Sequence, residues 1–334
     1  MRSPSEFARD HVPDALNAPV LDDEERGRVG TIFKQISPFQ AKKIGAALVS
    51  HNIGRHIEER FSARVPDWKP LVYCWRGGKR SAAMAHVLRE IGWHAAQLEG
   101  GYKAYRREVL AQLELLPAKF SFRVICGATG SGKSRLLEAL AGHGAQVLDL
   151  ERLACHRGSV LGELPRQPQP PQKMFESLVW NALRRMDPAR PVYVEAESKK
   201  IGQLQVPGAL LERMRDAPCV QVDAPLAARV EFLMSEYHHF LERPEALKEK
   251  LACLTGLYGK QVIDRWIAQI QSGAWSDLVG DLLVQHYDPA YRRSTVRNYR
   301  GFPQARVLEA ASLSLEAIAS AAAQLVGALE HEDG

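Results

Sequence analysis

The 334-residue chain contains no apolar run that approaches the roughly 18 to 20 residues a membrane span needs. A transmembrane helix is therefore not expected. The first residues, Met1-Arg2-Ser3-Pro4-Ser5-Glu6-Phe7, hold no apolar core, so no secretory leader is expected either. Cysteine is scarce: the five residues Cys74, Cys126, Cys155, Cys219 and Cys253 are odd in number and scattered, with no CxxC pair and no Cys/His cluster at zinc spacing. A disulfide scaffold and a structural metal are not expected, and reduced thiols in a cytoplasm fit best. A dense basic run is also missing. The net charge is +5, with cations in pairs such as Lys42-Lys43, Arg106-Arg107 and Lys199-Lys200, so charge alone does not define a nucleic-acid binder. There is no internal repeat. What remains is an ordinary globular composition, 46% hydrophobic and 25% charged, on a chain long enough for two domains.

The first informative stretch is Cys74-Trp75-Arg76-Gly77-Gly78-Lys79-Arg80-Ser81. Leu71-Val72-Tyr73 before it is β-prone, and Ala82 to Leu88 after it reads as a helix. A cysteine at a strand end thus faces a loop whose glycines let backbone N–H groups turn inward, ahead of a helix N-terminus. Those donors, with Arg76, Lys79 and Arg80, favour a thiolate over a thiol. No His/Asp partner pattern of a hydrolase accompanies Cys74. The loop Arg76, Gly77, Gly78, Lys79, Arg80, Ser81 suits an anionic sulfur or selenium species instead. Downstream, His94 to Leu98 reads as a second strand, and Glu99-Gly100-Gly101-Tyr102 as a second strand-to-helix turn. Tyr105 to Leu116 is helical and Pro117 closes it. This is a small α/β unit with a parallel sheet, and residues 1–117 are assigned to it.

A second domain, 118–334, opens at once. Phe120 to Cys126 reads as a buried strand, Arg135 to Leu140 as a helix, and between them Gly127-Ala128-Thr129-Gly130-Ser131-Gly132-Lys133-Ser134 matches G-x-x-x-x-G-K-[ST]. Backbone N–H groups and the helix start would wrap phosphate oxygens, Lys133 would reach the terminal phosphate, and the Ser134 hydroxyl could ligate Mg²⁺. The motif specifies a di- or triphosphate without choosing a base or a reaction. Further strands are expected at Gln146–Leu148, Val192–Val194 and Val220–Val222. Asp149 and Glu195, each at a strand end, are candidates for metal or water contacts, with Glu197 a weaker one; each also reads as a simple strand-end carboxylate. His156-Arg157-Gly158-Ser159 reads either as an anion contact or as a polar turn. Gly162 to Gln172 holds four prolines and reads as a mobile loop or lid. Beyond about residue 225 the pattern is mainly helical, broken at Arg243-Pro244 and Ser272-Gly273.

Taken together, the two halves resemble a known family. The Cys74–Ser81 loop with Glu99-Gly100-Gly101-Tyr102 resembles a rhodanese domain, and a rhodanese followed by a P-loop NTPase-like domain is similar to the tRNA 2-selenouridine synthases. Glu25 to Thr31, Asp149 to Glu151, His156 to Ser159, Glu195 to Gly202 and Tyr287 to Tyr291 also fit that family. One departure stands out: rhodanese domains usually open with a strand ending in Asp-Val-Arg ahead of a stretch like Ser3–Phe7. The expectation is a sheet short of its first strand, with an unpaired edge.

The resemblance implies an α/β protein whose P-loop domain ends in a helical part. It implies replacement of sulfur by selenium in wobble-position 2-thiouridine, with selenophosphate as donor. It also implies an S-geranylated intermediate made from geranyl diphosphate. The phosphate cradle accommodates a prenyl diphosphate as readily as ATP. The implied partner is tRNA, for which Arg292, Arg293 and Arg297 are candidate phosphate contacts, together with a supply of selenophosphate. The rival enzyme reading is an ATP-dependent small-molecule kinase or ATPase with a fused sulfurtransferase domain.

Overall fold

The computed structural model describes residues 1–159, 161–238, 240 and 244–330. Arg243, half of the expected break at Arg243-Pro244, lies outside the described residues. The chain divides into two compact units, one of Met1–Gln112 with Pro171–Asn181, the other of Leu113–Pro170 with Ala182–Gly334.

In the first unit, helix Asp23–Gln35 opens behind the N-cap Asp22. Asp22 accepts from the Glu25 N–H at 2.7 Å, and the Glu25 carboxylate accepts from the Asp22 N–H at 2.9 Å, a reciprocal cap worth about 1 kcal/mol. Helix Pro38–His56 follows, capped by Ser37 with Pro38 at its first position. Asn52 joins the pair by donating to Glu25 at 2.8 Å. The two expected strands are present and shorter than the sequence suggests: β1 (Leu71–Val72) pairs in parallel with β2 (Ala96–Gln97). Behind them Val20, Ile53, Met84, Leu88 and Trp93 form the core.

Part of helix Gln172–Leu183 belongs to this first unit although it lies far along the chain. Buried Asp10 is the reason. Its carboxylate accepts from the Tyr102 hydroxyl and from the Ser177 hydroxyl, each at 2.8 Å. Arg106 pairs with Glu176, and Tyr105 meets Trp180 edge-on at 5.7 Å. A buried carboxylate needs such partners to avoid an uncompensated desolvation cost.

The second unit is built on a five-stranded sheet in the order β4 (Gln146–Leu148), β5 (Val192–Glu195), β3 (Phe122–Cys126), β8 (Pro218–Asp223), β9 (Gly301–Glu309), with every neighbouring pair parallel. The hairpin β6 (Lys200–Ile201) and β7 (Leu204–Gln205) stands apart from it. Central β3 is almost wholly apolar and buried, as a strand covered on both faces requires. Helices Lys133–Gly142 and Leu315–Glu330 pack against it through Leu136, Leu137, Leu140, Ile318, Ala322 and Leu325. The carboxyl ends of β3, β4 and β5 open on the same side, where ligands of open parallel sheets bind.

After residue 225 the chain is mainly helical as expected, with Trp266 at the centre of a satellite core. The exception is β9. Its sequence, Gly301-Phe302-Pro303-Gln304-Ala305-Arg306-Val307-Leu308-Glu309, is too polar to stand out as a strand, because β9 is an edge and is paired on one side only. That position also tolerates Pro303, which has no N–H to give.

Candidate functional sites

In the first unit Cys74 follows β1 and is buried. The Gly78 N–H donates to its Sγ at 3.3 Å and the Ser81 hydroxyl at 3.2 Å. Burial pushes the thiol up. The Ser81 hydroxyl and the N–H groups of Ser81, Arg76 and Gly78 outweigh that, and the net pKa lies below the ordinary thiol value. The lowering comes chiefly from loop donors rather than from the three cationic side chains. Arg76 and Lys79 are exposed, and Arg80 lies 3.5 Å from the Glu6 carboxylate.

The glycine pair downstream has a matching role. Gly77 has φ +64°, and a Cβ there would lie 2.7 Å from the Leu98 carbonyl and 3.0 Å from the Gly101 nitrogen. Gly77 and Gly101 therefore pack backbone to backbone, and neither tolerates a side chain. Gln97, in β2, fastens the arrangement by donating to the Ser81 hydroxyl at 2.9 Å and to the Gly77 carbonyl. Of the aromatics in this unit, Trp93 and Tyr102 are buried, and Trp75 stacks on Tyr102 at 5.2 Å.

In the second unit Gly127 to Ser134 joins β3 to helix Lys133–Gly142 as the motif requires. Lys133 curls back, its Nζ donating to the carbonyl of Gly127 at 2.7 Å and lying 3.4 Å from that of Ala128. Burial pulls its pKa down, while Glu151, Glu197, Cys126 and Glu195 act in the opposite direction. The Ser134 hydroxyl donates to Glu151 at 3.0 Å. The Glu151 N–H in turn donates to Glu195 at 2.7 Å.

Glu195 is buried, its Oε2 has no hydrogen-bond partner among the described residues, and burial together with Asp149, Glu151 and Glu197 raises its pKa well above the usual carboxylate range. Glu197 is raised likewise, first by burial and then by Glu151. Asp149 has a different task. It caps helix Leu150–Ala154 by accepting from the Arg152 N–H at 2.8 Å.

His156 and Arg157 precede Gly158, where a Cβ would lie 2.7 Å from Glu197 and 2.9 Å from Glu151, so this turn sits against the carboxylates around Lys133. His156 is buried and accepts from the Gly158 N–H at 3.1 Å. Arg157 pairs with Glu236 at 3.0 Å and lies over the Tyr237 ring. The proline-rich segment is tied down by Gln169, which donates to the Ile201 carbonyl at 2.9 Å and accepts from the Gln203 N–H at 2.9 Å. Arg292, Arg293 and Arg297 are exposed along helix Asp288–Asn298.

Four residues given no role by the sequence hold the cradle in shape. Arg229 donates through Nε to the Thr129 carbonyl at 2.9 Å, and both its Nη atoms reach the Asp288 carboxylate. Tyr291 accepts from the Gly127 N–H, and its ring lies 5.6 Å from the Lys133 ammonium. Glu151, the carboxylate that meets Ser134, is the fourth. Gly130, at φ +79°, has no room for a Cβ, which would fall 2.8 Å from Leu233. The only advance signal was the fit of Tyr287 to Tyr291 and of Asp149 to Glu151 to a known family.

An apolar cavity of about 70 Å³ opens beside Thr129. Leu233, Tyr237, Trp275, Leu278, Leu282 and Tyr287 line it.

A cysteine loop whose donors lower the thiol pKa and a G-x-x-x-x-G-K-S loop thus share one chain. Residues 1–108 match the rhodanese-like domain family, and residues 120–254 match the family described as the tRNA 2-selenouridine synthase AAA domain. The chain is 36% identical over 248 residues to the tRNA 2-selenouridine synthase of Nitrosomonas europaea, covering 71% of this chain and 62% of that protein. For the protein of the same name from Marinobacter nauticus the values are 37% over 242 residues, 71% and 64%. For that from Bdellovibrio bacteriovorus they are 36% over 250 residues, 71% and 63%. Over both matched segments the chain is thus similar to the tRNA 2-selenouridine synthases. It spans less than two thirds of the length of each of these relatives.

Proposed function

We propose that the protein is a transferase that replaces sulfur by selenium in the wobble 2-thiouridine of tRNA, with selenophosphate as donor and geranyl diphosphate used to activate the sulfur. The observation that carries the prenyl half is the apolar cavity that borders the Gly127–Ser134 loop at Thr129. A ligand with a diphosphate head and a hydrocarbon tail matches a polar loop beside an apolar recess. In the first step the thiocarbonyl sulfur attacks C1 of the geranyl group. The C1–O bond breaks, diphosphate leaves with the electron pair, and the nucleobase gives up its N3 proton. Lys133 and the cradle N–H groups hold the leaving diphosphate. In the second step the selenium of selenophosphate adds at C2 and the geranyl thiolate departs and takes up a proton; water then cleaves the P–Se bond, releasing phosphate and returning a proton to N3.

Cys74 serves the selenium step on this reading, its loop of N–H donors accommodating an anionic group on sulfur. Ser134, Glu151 and Glu195 form an oxygen-only donor set, and the partnerless Glu195 Oε2 suits a hard cation. Mg²⁺ held there would neutralise diphosphate charge. The family matches at 1–108 and 120–254 support a rhodanese-like domain over 1–117 and a P-loop domain over 118–334. The soluble, cytoplasmic setting belongs to the same proposal; among the described residues no helix is long and apolar enough to cross a membrane.

The test is mass analysis of tRNA nucleosides after incubation with geranyl diphosphate and selenophosphate. The expected result is a geranylated, then a selenium-containing, wobble nucleoside. Cys74→Ala should stop at the geranylated product and Lys133→Ala should form neither. An unchanged wobble nucleoside with the wild-type protein overturns the reading, and loss of both steps in both variants overturns the division of labour.

A further inference from the structure

The helical hairpin Asp23–Gln35 and Pro38–His56 in the first unit has features that the thiolate site does not use. Asp22, Asp23, Glu24 and Glu25 crowd its start. From Arg26 to Ile57 there is then no Asp or Glu, while Arg26, Arg28, Lys34, Lys42, Lys43 and Arg55 carry six positive charges. At the closed end of the hairpin, Phe33 is 51% exposed, Ile36 68% and Phe39 68%. Lys34, Gln35, Gln40, Lys42 and Lys43 are exposed beside them, and the Lys43 ammonium lies 5.6 Å from the Phe39 ring centre. Internal packing does not account for these side chains, because the hairpin's own buried positions are Ala41, Asn52, Ile53 and His56.

Two aromatic faces presented to solvent, ringed by lysines and carboxamides on a rigid support, match the chemistry of unpaired RNA. Aromatic faces stack splayed bases, carboxamides reach base edges, and lysines take the phosphates. An anionic lipid surface would accept the lysines, but three apolar side chains are a small load to bury and the glutamines gain nothing there.

We propose that the closed end of this hairpin docks a single-stranded RNA loop such as the anticodon loop of a tRNA, through Phe33, Phe39 and the Lys42-Lys43 pair. The choice of RNA rests on the tRNA reading above. The surface itself rests on charge and exposure.

The experiment measures fluorescence anisotropy of a labelled anticodon stem-loop with the full chain across a salt series. Phe33→Ala/Phe39→Ala should weaken binding tenfold or more, since stacking is worth roughly 1–3 kcal/mol per base. Lys42→Ser/Lys43→Ser should also weaken it, and should flatten the slope of log affinity against log salt by about 1.4, at roughly 0.7 per phosphate contact. All four side chains are exposed, so the variants should melt with the wild type, and thermal denaturation checks this. Wild-type binding that both variants keep within twofold overturns the hairpin proposal while leaving the proposed reaction standing. Hairpin-dependent binding without any change in nucleoside mass supports the hairpin and overturns the reaction. Binding of phosphatidylserine vesicles with no binding of the stem-loop overturns the choice of RNA.

Discussion

Arg229 and Asp288 form a two-pronged ion pair, one guanidinium nitrogen at 3.0 Å and the other at 2.5 Å from the carboxylate oxygens, and the third nitrogen holds the Thr129 carbonyl. The pair ties the phosphate cradle to the helix that follows Tyr287, a residue of the apolar cavity wall. Arg229 is buried while the Asp288 carboxylate is 35% exposed, so Asp288→Ala strands a buried guanidinium at a cost of about 3–5 kcal/mol and should lower the melting temperature sharply. Arg229→Lys, which keeps the charge and loses the fork, should stay folded and bind inorganic diphosphate about tenfold more weakly by calorimetry.

Lys133 is held by the Gly127 and Ala128 carbonyls, and an ammonium so placed can exchange carbonyls for phosphate oxygens. Lys133→Ala should reduce affinity for inorganic diphosphate by at least tenfold and leave the fold in place. Equal affinity in the two proteins would remove the lysine from the phosphate site.

The recess beside Thr129 makes a prediction of opposite character. Val279 lines it and is half-buried. Val279→Trp should fill the space, weaken geranyl diphosphate by tenfold or more, and leave inorganic diphosphate unaffected. Loss of both affinities would mean that the tail lies elsewhere.

The thiol of Cys74 is lowered by donors that can be removed singly. Its deprotonated fraction should rise, and alkylation of Cys74 by a small electrophile should level off, at lower pH than for a free cysteine near pH 8.5. Ser81→Ala removes the 3.2 Å donor and should move that midpoint upward. An unmoved midpoint would assign the lowering to the amides alone.

Glu195 gives a stability signature. Its carboxyl titrates near 4.5 when unfolded and well above that when folded. At pH below the unfolded value it is protonated in both states and costs nothing. As pH rises through the folded value the burial cost appears in full. Glu195→Gln keeps the acceptor for the Glu151 N–H and should therefore raise the melting temperature at pH 8 more than at pH 5. Equal effects at the two pH values would refute a raised native pKa.

Much of this was legible in the residues. Cys74 with its glycine loop and Gly127 to Ser134 carry local signals, since each motif is a backbone shape that only certain residues permit, and both fall between the elements expected. The supports were not legible. Arg229 and Asp288 are 59 positions apart, and nothing in either neighbourhood marks an arginine that will be buried against a carbonyl. Asp149 and Glu151 are two residues apart at a strand end. Which of them caps the helix and which turns toward Ser134 depends on the register of that turn, which composition does not encode. Strand β9 was hidden because an edge carries half the apolar load of a central strand.

The placement of Gln172–Asn181 with the first unit bears on any attempt to excise it. A fragment ending at Pro117 would carry Asp10, Tyr102 and Tyr105 and lack Ser177, Glu176 and Trp180. The buried carboxylate would lose a donor, Arg106 the nearer of its two counter-ions and Tyr105 its aromatic cover. The two parts of the chain are thus not interchangeable modules. A graft of the thiolate domain onto another scaffold must bring with it a helix written more than fifty residues further along the chain.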